Sequence, residues 1–184
     1  MPELKEKVVE GEDIQDFAYL GREFMTWLVW RADAGESTFG GGAKGEEEFT
    51  LAFGTKARLG SPVGHATDMV MKGRSPAHGA EARAAIGSGH TLREAELRCT
   101  RGEREWRFTL VGETLDLRGV KLPALLTEED DDKFLERISL IEELDDMVRT
   151  AFAAFMKDRL RPAWKRDVVP ALRTWLVEGL EVTE

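Results

Sequence analysis

"REAELRCTRGEREWRFTLV", residues 93 to 111, decides the fold class. Ala95, Leu97 and Cys99 alternate with charged residues before Gly102, and Trp106, Phe108 and Leu110 alternate with charged or polar residues after it. A period of two sends one set of side chains to a core and the other to solvent, which is the signature of a half-buried antiparallel hairpin. With Arg101 and Gly102 as a two-residue turn, Leu97 faces Trp106 and Ala95 faces Phe108 on the apolar side. Arg98 then faces Glu105, and Glu96 faces Arg107, on the other. A slip of one residue would set apolar groups against charges, so both faces act on the register together. These arginines are therefore expected to be neutralised by acids on a solvated sheet face. Cys99 is expected to be a small buried apolar group and not a nucleophile.

Further strands flank this hairpin. Phe49, Leu51 and Phe53 alternate with polar positions, and Ala57 and Leu59 keep the same parity if Gly54, Thr55 and Lys56 close a second hairpin. Short strands are predicted at 65 to 72 and in "TLDLRG", residues 114 to 119, with a short helix near 79 to 86 between glycines. The stretch 35 to 48 has five glycines and no periodicity, which predicts a mobile loop; it lacks the glycine, lysine and hydroxyl order of a phosphate loop.

Helices lie at both ends. Phe17, Leu20, Phe24, Trp27 and Leu28 recur at steps of three and four and predict a helix over 14 to 31, capped by Asp13 or Asp16. Tyr19, Met25, Val29 and Trp30 make its second half apolar nearly all round, so burial on more than one face is expected. Trp27 should be inside the monomer, and Trp30 inside it or at a subunit contact. Thr127 before Glu128, Glu129 and Asp130 reads as a capping box. Phe134, Ile138, Ile141, Val148, Phe152 and Phe155 then trace one stripe to Leu160, a helix of about 32 residues. A third helix starts at Pro162 and carries Trp164, Val168, Leu172, Trp175 and Leu176, with Pro170 expected to kink it. The predicted class is α+β: an antiparallel sheet of five or six strands, an N-terminal aromatic helix and a C-terminal long helical pair. Residues 1–126 form the sheet part and 127–184 the helical pair, packed on the same core.

Of the 184 residues, 42% are hydrophobic and 33% charged, the balance of a soluble globular domain. No run is apolar enough for a membrane span, "MPELKEKVVEGED" lacks a signal peptide's apolar core, and Cys99 is the one cysteine; the expectation is a cytoplasmic protein without membrane attachment. The net charge of −9 is unevenly placed. Residues 127 to 148 hold ten acids and two bases, a net of −8, whereas 149 to 175 hold seven bases and two acids, a net of +5.

Catalytic chemistry finds no constellation. His65, His78 and His90 share no ligand spacing, "GSGH" at 87 to 90 is turn chemistry and not a nucleophile elbow, and Glu113 and Asp116 lack identifiable partners for a nuclease metal. The expectation is a protein that is not an enzyme, with no metal and no cofactor.

The strings "YLGREFMTWLVWRAD", "EARAAIGSGHTLREAELRCTRGEREWRFTL", "LDLRGVKLPALL" and "ERISLIEELDDMV" resemble the C-terminal part of recombination-associated bacterial proteins of the RdgC type, over about residues 17 to 176. The long N-terminal portion of those proteins has no counterpart here. The resemblance implies a non-catalytic accessory role in nucleic-acid metabolism with sequence-independent binding of duplex DNA, and an oligomer. For such binding the charge distribution selects Lys157, Arg159, Arg161, Lys165 and Arg166, gathered at the junction of the last two helices. The alternative is a protein interaction or assembly module that binds no nucleic acid, joined to further copies of itself or to a separate partner chain.

Overall fold

The computed structural model describes residues 12–41, 47–61 and 68–178, with side chains from residue 19 onward. The side chains of Phe17 and of the candidate caps Asp13 and Asp16, and the whole of His65, lie outside that description. The elements run α1 (Glu12–Asp33), β1 (Thr38–Phe39), β2 (Phe49–Gly60), β3 (Met69–Lys72), α2 (Ala80–Gly87), β4 (Thr91–Arg101), β5 (Arg104–Val111), β6 (Leu117–Lys121), α3 (Asp130–Arg159) and α4 (Val169–Glu178). A 3₁₀ turn, Pro76–His78, precedes α2, and a π turn, Trp164–Val168, precedes α4. The class is α+β. Its six strands form one antiparallel sheet in the order β1-β2-β4-β5-β6, with β3 sharing the β1 edge of β2 further along.

The β4–β5 hairpin forms, but two residues out of the predicted register. Leu97 lies opposite Phe108, Ala95 opposite Leu110, Cys99 opposite Trp106 and Arg98 opposite Arg107. The turn is Gly102–Glu103, with Gly102 at φ +57°, as a two-residue loop with glycine first allows. Arg101 and Arg104 close it together, and both reach Glu143 of α3, at 3.1 and 2.7 Å. A slip of two preserves both faces, so Leu97, Cys99, Trp106 and Phe108 are buried as expected.

The second predicted hairpin does not exist: β2 runs unbroken from Phe49 to Gly60. Phe53 pairs with Leu97 and Ala57 with Ala95, so Gly54, Thr55 and Lys56 bulge opposite Glu96 alone. The Glu96 carboxylate accepts from Thr55 N at 3.1 Å and Thr55 Oγ1 at 2.8 Å, supplying the bond the ladder omits. Within the glycine-rich stretch expected to be a loop, Thr38 and Phe39 instead pair with β2. Phe39 packs between Trp27 and Phe49, at 6.1 and 5.7 Å.

One sheet face carries Leu51, Phe53, Leu59, Leu97, Cys99, Trp106 and Phe108, and α1 and α3 cover it in a single apolar cluster. Trp27 is 1% exposed, as predicted, and Trp30 is half-buried. Gly21 sits where α1 meets the end of β5; a β-carbon there would stand 1.8 Å from the Gly112 carbonyl oxygen, so only glycine permits the approach. Trp106 Nε1 donates to the Leu140 carbonyl at 3.1 Å and ties α3 to the sheet.

Three readings of the C-terminal helices are corrected. Thr127 caps nothing: Glu129 is the N-cap and makes no side-chain cap bond, while Glu136 takes Thr127 Oγ1 at 2.7 Å and Leu126 N at 2.8 Å. The row of α3 that enters the core is Leu140, Leu144, Met147, Val148, Ala151 and Phe155; Phe134, Ile138 and Ile141 of the predicted stripe are exposed. The third helix opens as a π turn, with Val169 N bonded to Trp164 O, immediately before Pro170, which has no N–H to continue an α ladder.

Candidate functional site

Basic residues at the α3–α4 junction are the first candidate. Arg159 Nε donates to Glu23 Oε2 of α1 at 2.8 Å, and its guanidinium lies over the Trp164 ring at 5.5 Å. Arg161 pairs with Asp158 at 3.4 Å, and Arg166 holds Asp167 through two bonds of 2.8 Å. That fork raises the Arg166 pKa and lowers that of Asp167. Lys157 and Lys165 are exposed and enter no ion pair among the described residues. Three of the five selected bases are thus held by acids.

Beside this junction, Tyr19, Glu23, Thr26, Trp164, Val169 and Leu172 line an apolar cleft of about 270 Å³ between α1 and the C-terminal turns. Its one carboxylate is engaged on both oxygens, by Arg159 and by Tyr19 Oη at 3.0 Å. Burial and then the Glu23 bond raise the Tyr19 pKa. Arg173, also in its lining, is exposed and enters no ion pair among the described residues.

A second candidate is one flank of α3. Phe134, Ile138, Ile141, Asp145, Val148, Phe152, Phe155 and Arg159 follow at alternating steps of four and three, a heptad seam. In its C-terminal half α1 covers the seam: Phe24 stacks edge-on to Phe152 at 5.3 Å and lies 5.7 Å from Phe155. In its N-terminal half no helix or strand among the described residues does. Phe134 is 62% exposed, Leu135 63%, Ile138 39% and Ile141 46%. At 100° per residue Phe134, Ile138 and Ile141 lie on average a little over a quarter turn from Leu140 and Leu144, and Leu135 lies nearly opposite those two leucines, so the four stand off the row that meets the sheet. Glu128, Glu129, Asp130, Asp131 and Asp132 lead into this half of the helix and Glu142 follows it, all exposed, with Arg137 exposed among them.

On the outer sheet face arginines still meet acids, but the expected Glu96–Arg107 pair does not form, because the shifted register sets Arg98 opposite Arg107 and Glu96 is held by Thr55. Arg58 pairs with Asp68 and Glu94, Arg118 with Glu94 at 3.2 Å, Arg107 with Glu105 at 2.8 Å and Arg98 with Glu105 at 3.8 Å. Of the groups set aside in the sequence, Ser88 Oγ and His90 Nδ1 lie 3.2 Å apart. Ser88 Oγ donates to the Ala85 carbonyl at 2.8 Å, and His90 Nδ1 lies 3.1 Å from the same oxygen, closing the end of α2. Burial pushes the Cys99 thiol up to about 12, and its Sγ faces Met147 Sδ at 3.5 Å. Glu113 sits near Arg22 and Arg93 at 3.8 and 4.0 Å. No group of three potential metal ligands occurs among the described residues, and no helix there is long and apolar enough to cross a membrane.

Periodicity named Phe134, Ile138 and Ile141 as part of one stripe but not Leu135, and no sequence signal marked where the sheet beneath the stripe ends. Compared with models of known families and with curated proteins, the chain matches none.

Proposed function

We propose that this protein is a non-catalytic interaction module whose docking surface is the open half of the α3 seam. The observation that carries the reading is the exposure of Phe134, Leu135, Ile138 and Ile141 within eight residues, contiguous with a seam that α1 fills further on. Contiguous apolar surface of this kind marks a binding face more often than a solvated one. Alternating steps of four and three fit a helix, and the carboxylates before and after the apolar residues select its charge: a basic amphipathic helix of a partner chain. Two copies of the same face would bring acid against acid, which disfavours symmetric self-pairing.

The test is titration of the protein with a helical peptide carrying leucine at steps of four and three and lysine on its flanks, beside an otherwise identical peptide with glutamate flanks. The lysine peptide should bind, the glutamate peptide should not, and Ile138→Asp should abolish binding. A salt-resistant dimer that Ile138→Asp dissolves would instead make the occupant a second copy.

Duplex DNA binding, implied by the resemblance to RdgC-type proteins, is proposed as the second reading. Lys157 and Lys165 support it, being exposed and unpaired among the described residues. If only these two touch phosphate, log affinity should fall against log salt with a slope of about −1.8, and the double alanine variant should lose it. A much steeper slope would bring Arg159, Arg161 and Arg166 into the contact, released from their acids. No binding at low salt leaves the interaction module alone.

A further inference from the structure

The hairpin register has a chemical consequence on the outer sheet face. Arg98 lies directly opposite Arg107, and Arg107 directly opposite Lys121, so three cations stand in one row across β4, β5 and β6. Like charges at directly opposed positions destabilise a sheet. At Arg58 and Glu94 on the same face the register sets base against acid, while at the β2–β3 edge it sets Lys56 opposite Lys72. In the three-cation row Glu105 alone pairs with Arg98 and Arg107, both of which are at least half exposed.

The row borders a cleft of about 240 Å³ lined by Gly54, Thr55, Arg74, Ser75, Glu96, Arg98 and Arg107. The β2 bulge forms one wall. The other is the turn at Ser75, a non-glycine residue in the left-handed region at φ +53°. Backbone strain of this kind concentrates at ligand sites. Arg74 is exposed and enters no ion pair among the described residues, and neither does Lys121. The cleft therefore sets Arg74, Arg98 and Arg107 against two carboxylates, Glu96 in its lining and Glu105 paired to Arg98 and Arg107, a local excess of one positive charge on a chain of net charge −9. The Glu96 carboxylate is turned to the bulge, where Thr55 donates to it twice.

We propose that this cleft binds a small phosphate-type oxyanion through the Arg74, Arg98 and Arg107 guanidinium groups. Planar guanidinium forks match the oxygens of such an anion two at a time, and the bound charge would relieve the repulsion along the row. The site is separate from the docking face on α3 and does not depend on it.

Calorimetric titration of the full chain with inorganic pyrophosphate at low ionic strength tests the assignment. Pyrophosphate should bind the wild type. Arg98→Ala and Arg107→Ala should each weaken binding by about tenfold or more, the loss of one charge-assisted contact. Arg118→Ala, on the same face but held by Glu94, should leave it unchanged, and Glu96→Gln should tighten it. Circular dichroism melts verify that the variants fold. Failure of the wild type to bind, or an equal loss in Arg118→Ala, overturns the proposal. A duplex oligonucleotide arm separates the sources of phosphate. Displacement of pyrophosphate by duplex, lost in Arg98→Ala, assigns the cleft to a polymer backbone; retention of pyrophosphate assigns it to a small phosphate compound.

Discussion

Trp175 Nε1 donates to Asp33 Oδ2 at 2.7 Å, joining the last helix to the final residue of the first. The same carboxylate receives Arg83 of α2, whose guanidinium lies 4.7 Å from the centre of the Trp175 ring, so three helices meet at one acid. Asp33→Ala strands both a charged and a neutral donor, and should cost about 2 to 3 kcal/mol. Trp175→Phe removes only the neutral donor and should cost about 1 kcal/mol. Urea unfolding with unchanged slope measures both; an Asp33→Ala loss within 0.5 kcal/mol, the usual range of about ±0.5 for an exposed site, refutes the junction.

Beside this junction His78 sits edge-on to Phe53, 5.3 Å between ring centres, with Asp33 3.4 Å from Nδ1. Burial lowers its pKa and Arg83 adds to the shift, while Asp33 opposes it. The unfolded chain takes up this proton near pH 6.5 and the folded chain only at lower pH. Between those two values the unfolded state binds more protons, so stability falls as pH falls below about 6.5 and is unaffected by this group above it. Unfolding midpoints at pH 7.5 and 5.5 should differ less in His78→Gln than in the wild type. An equal difference in both removes His78 from the account.

The two most deeply buried tryptophans, Trp27 on α1 and Trp106 on β5, differ in one bond. Trp106 Nε1 reaches the Leu140 carbonyl, whereas Trp27 Nε1 is buried without a hydrogen-bond partner. Replacement by phenylalanine removes similar area from each. Trp106→Phe should therefore cost about 1 kcal/mol more than Trp27→Phe, the net worth of a hydrogen bond. Equal losses in denaturant melts would mean that packing alone sets both.

How far the sequence could be read follows from what each signal constrains. Alternation in 93 to 111 places Leu97 and Trp106 inside whichever even register is chosen, since a shift of two keeps every side chain on its face. Choosing between registers required knowing that Gly102 takes the first turn position and that Glu143, 39 residues beyond Arg104, gathers both closing arginines. The same limit explains β2. Gly54, Thr55 and Lys56 have the composition of a turn, and only Glu96 on the neighbouring strand makes them a bulge. Trp27 and Cys99 were legible because an apolar side chain among apolar neighbours has one destination. The charge division named the basic junction, but the acids that hold Arg159, Arg161 and Arg166 depend on side-chain geometry that composition does not carry.

Cys99 offers a direct probe of core opening. With its thiol at about 12 and its side chain fully buried, almost no thiolate exists at pH 8. An aromatic disulfide reagent should not react with the native protein on the timescale of minutes, and should react at once in denaturant. Rapid native reaction would show that α3 lifts from β4 readily, since Met147 of that helix covers the sulfur.

The two faces of α3 should separate in stability measurements. Leu144 is fully buried against the sheet, and Leu144→Ala deletes packed volume, a change that costs about 2 to 5 kcal/mol in cores. Phe134 lies on the open seam nearly three turns earlier, mostly in water already. Phe134→Ser should stay within about 0.5 kcal/mol of the wild type, because it removes little area that folding buries. Its effect should fall on the basic amphipathic peptide instead, weakening that complex while Leu144→Ala, at temperatures where it stays folded, leaves it intact. If Phe134→Ser unfolds the protein as Leu144→Ala does, the side chain belongs to the core, and the docking face on α3 is lost with it.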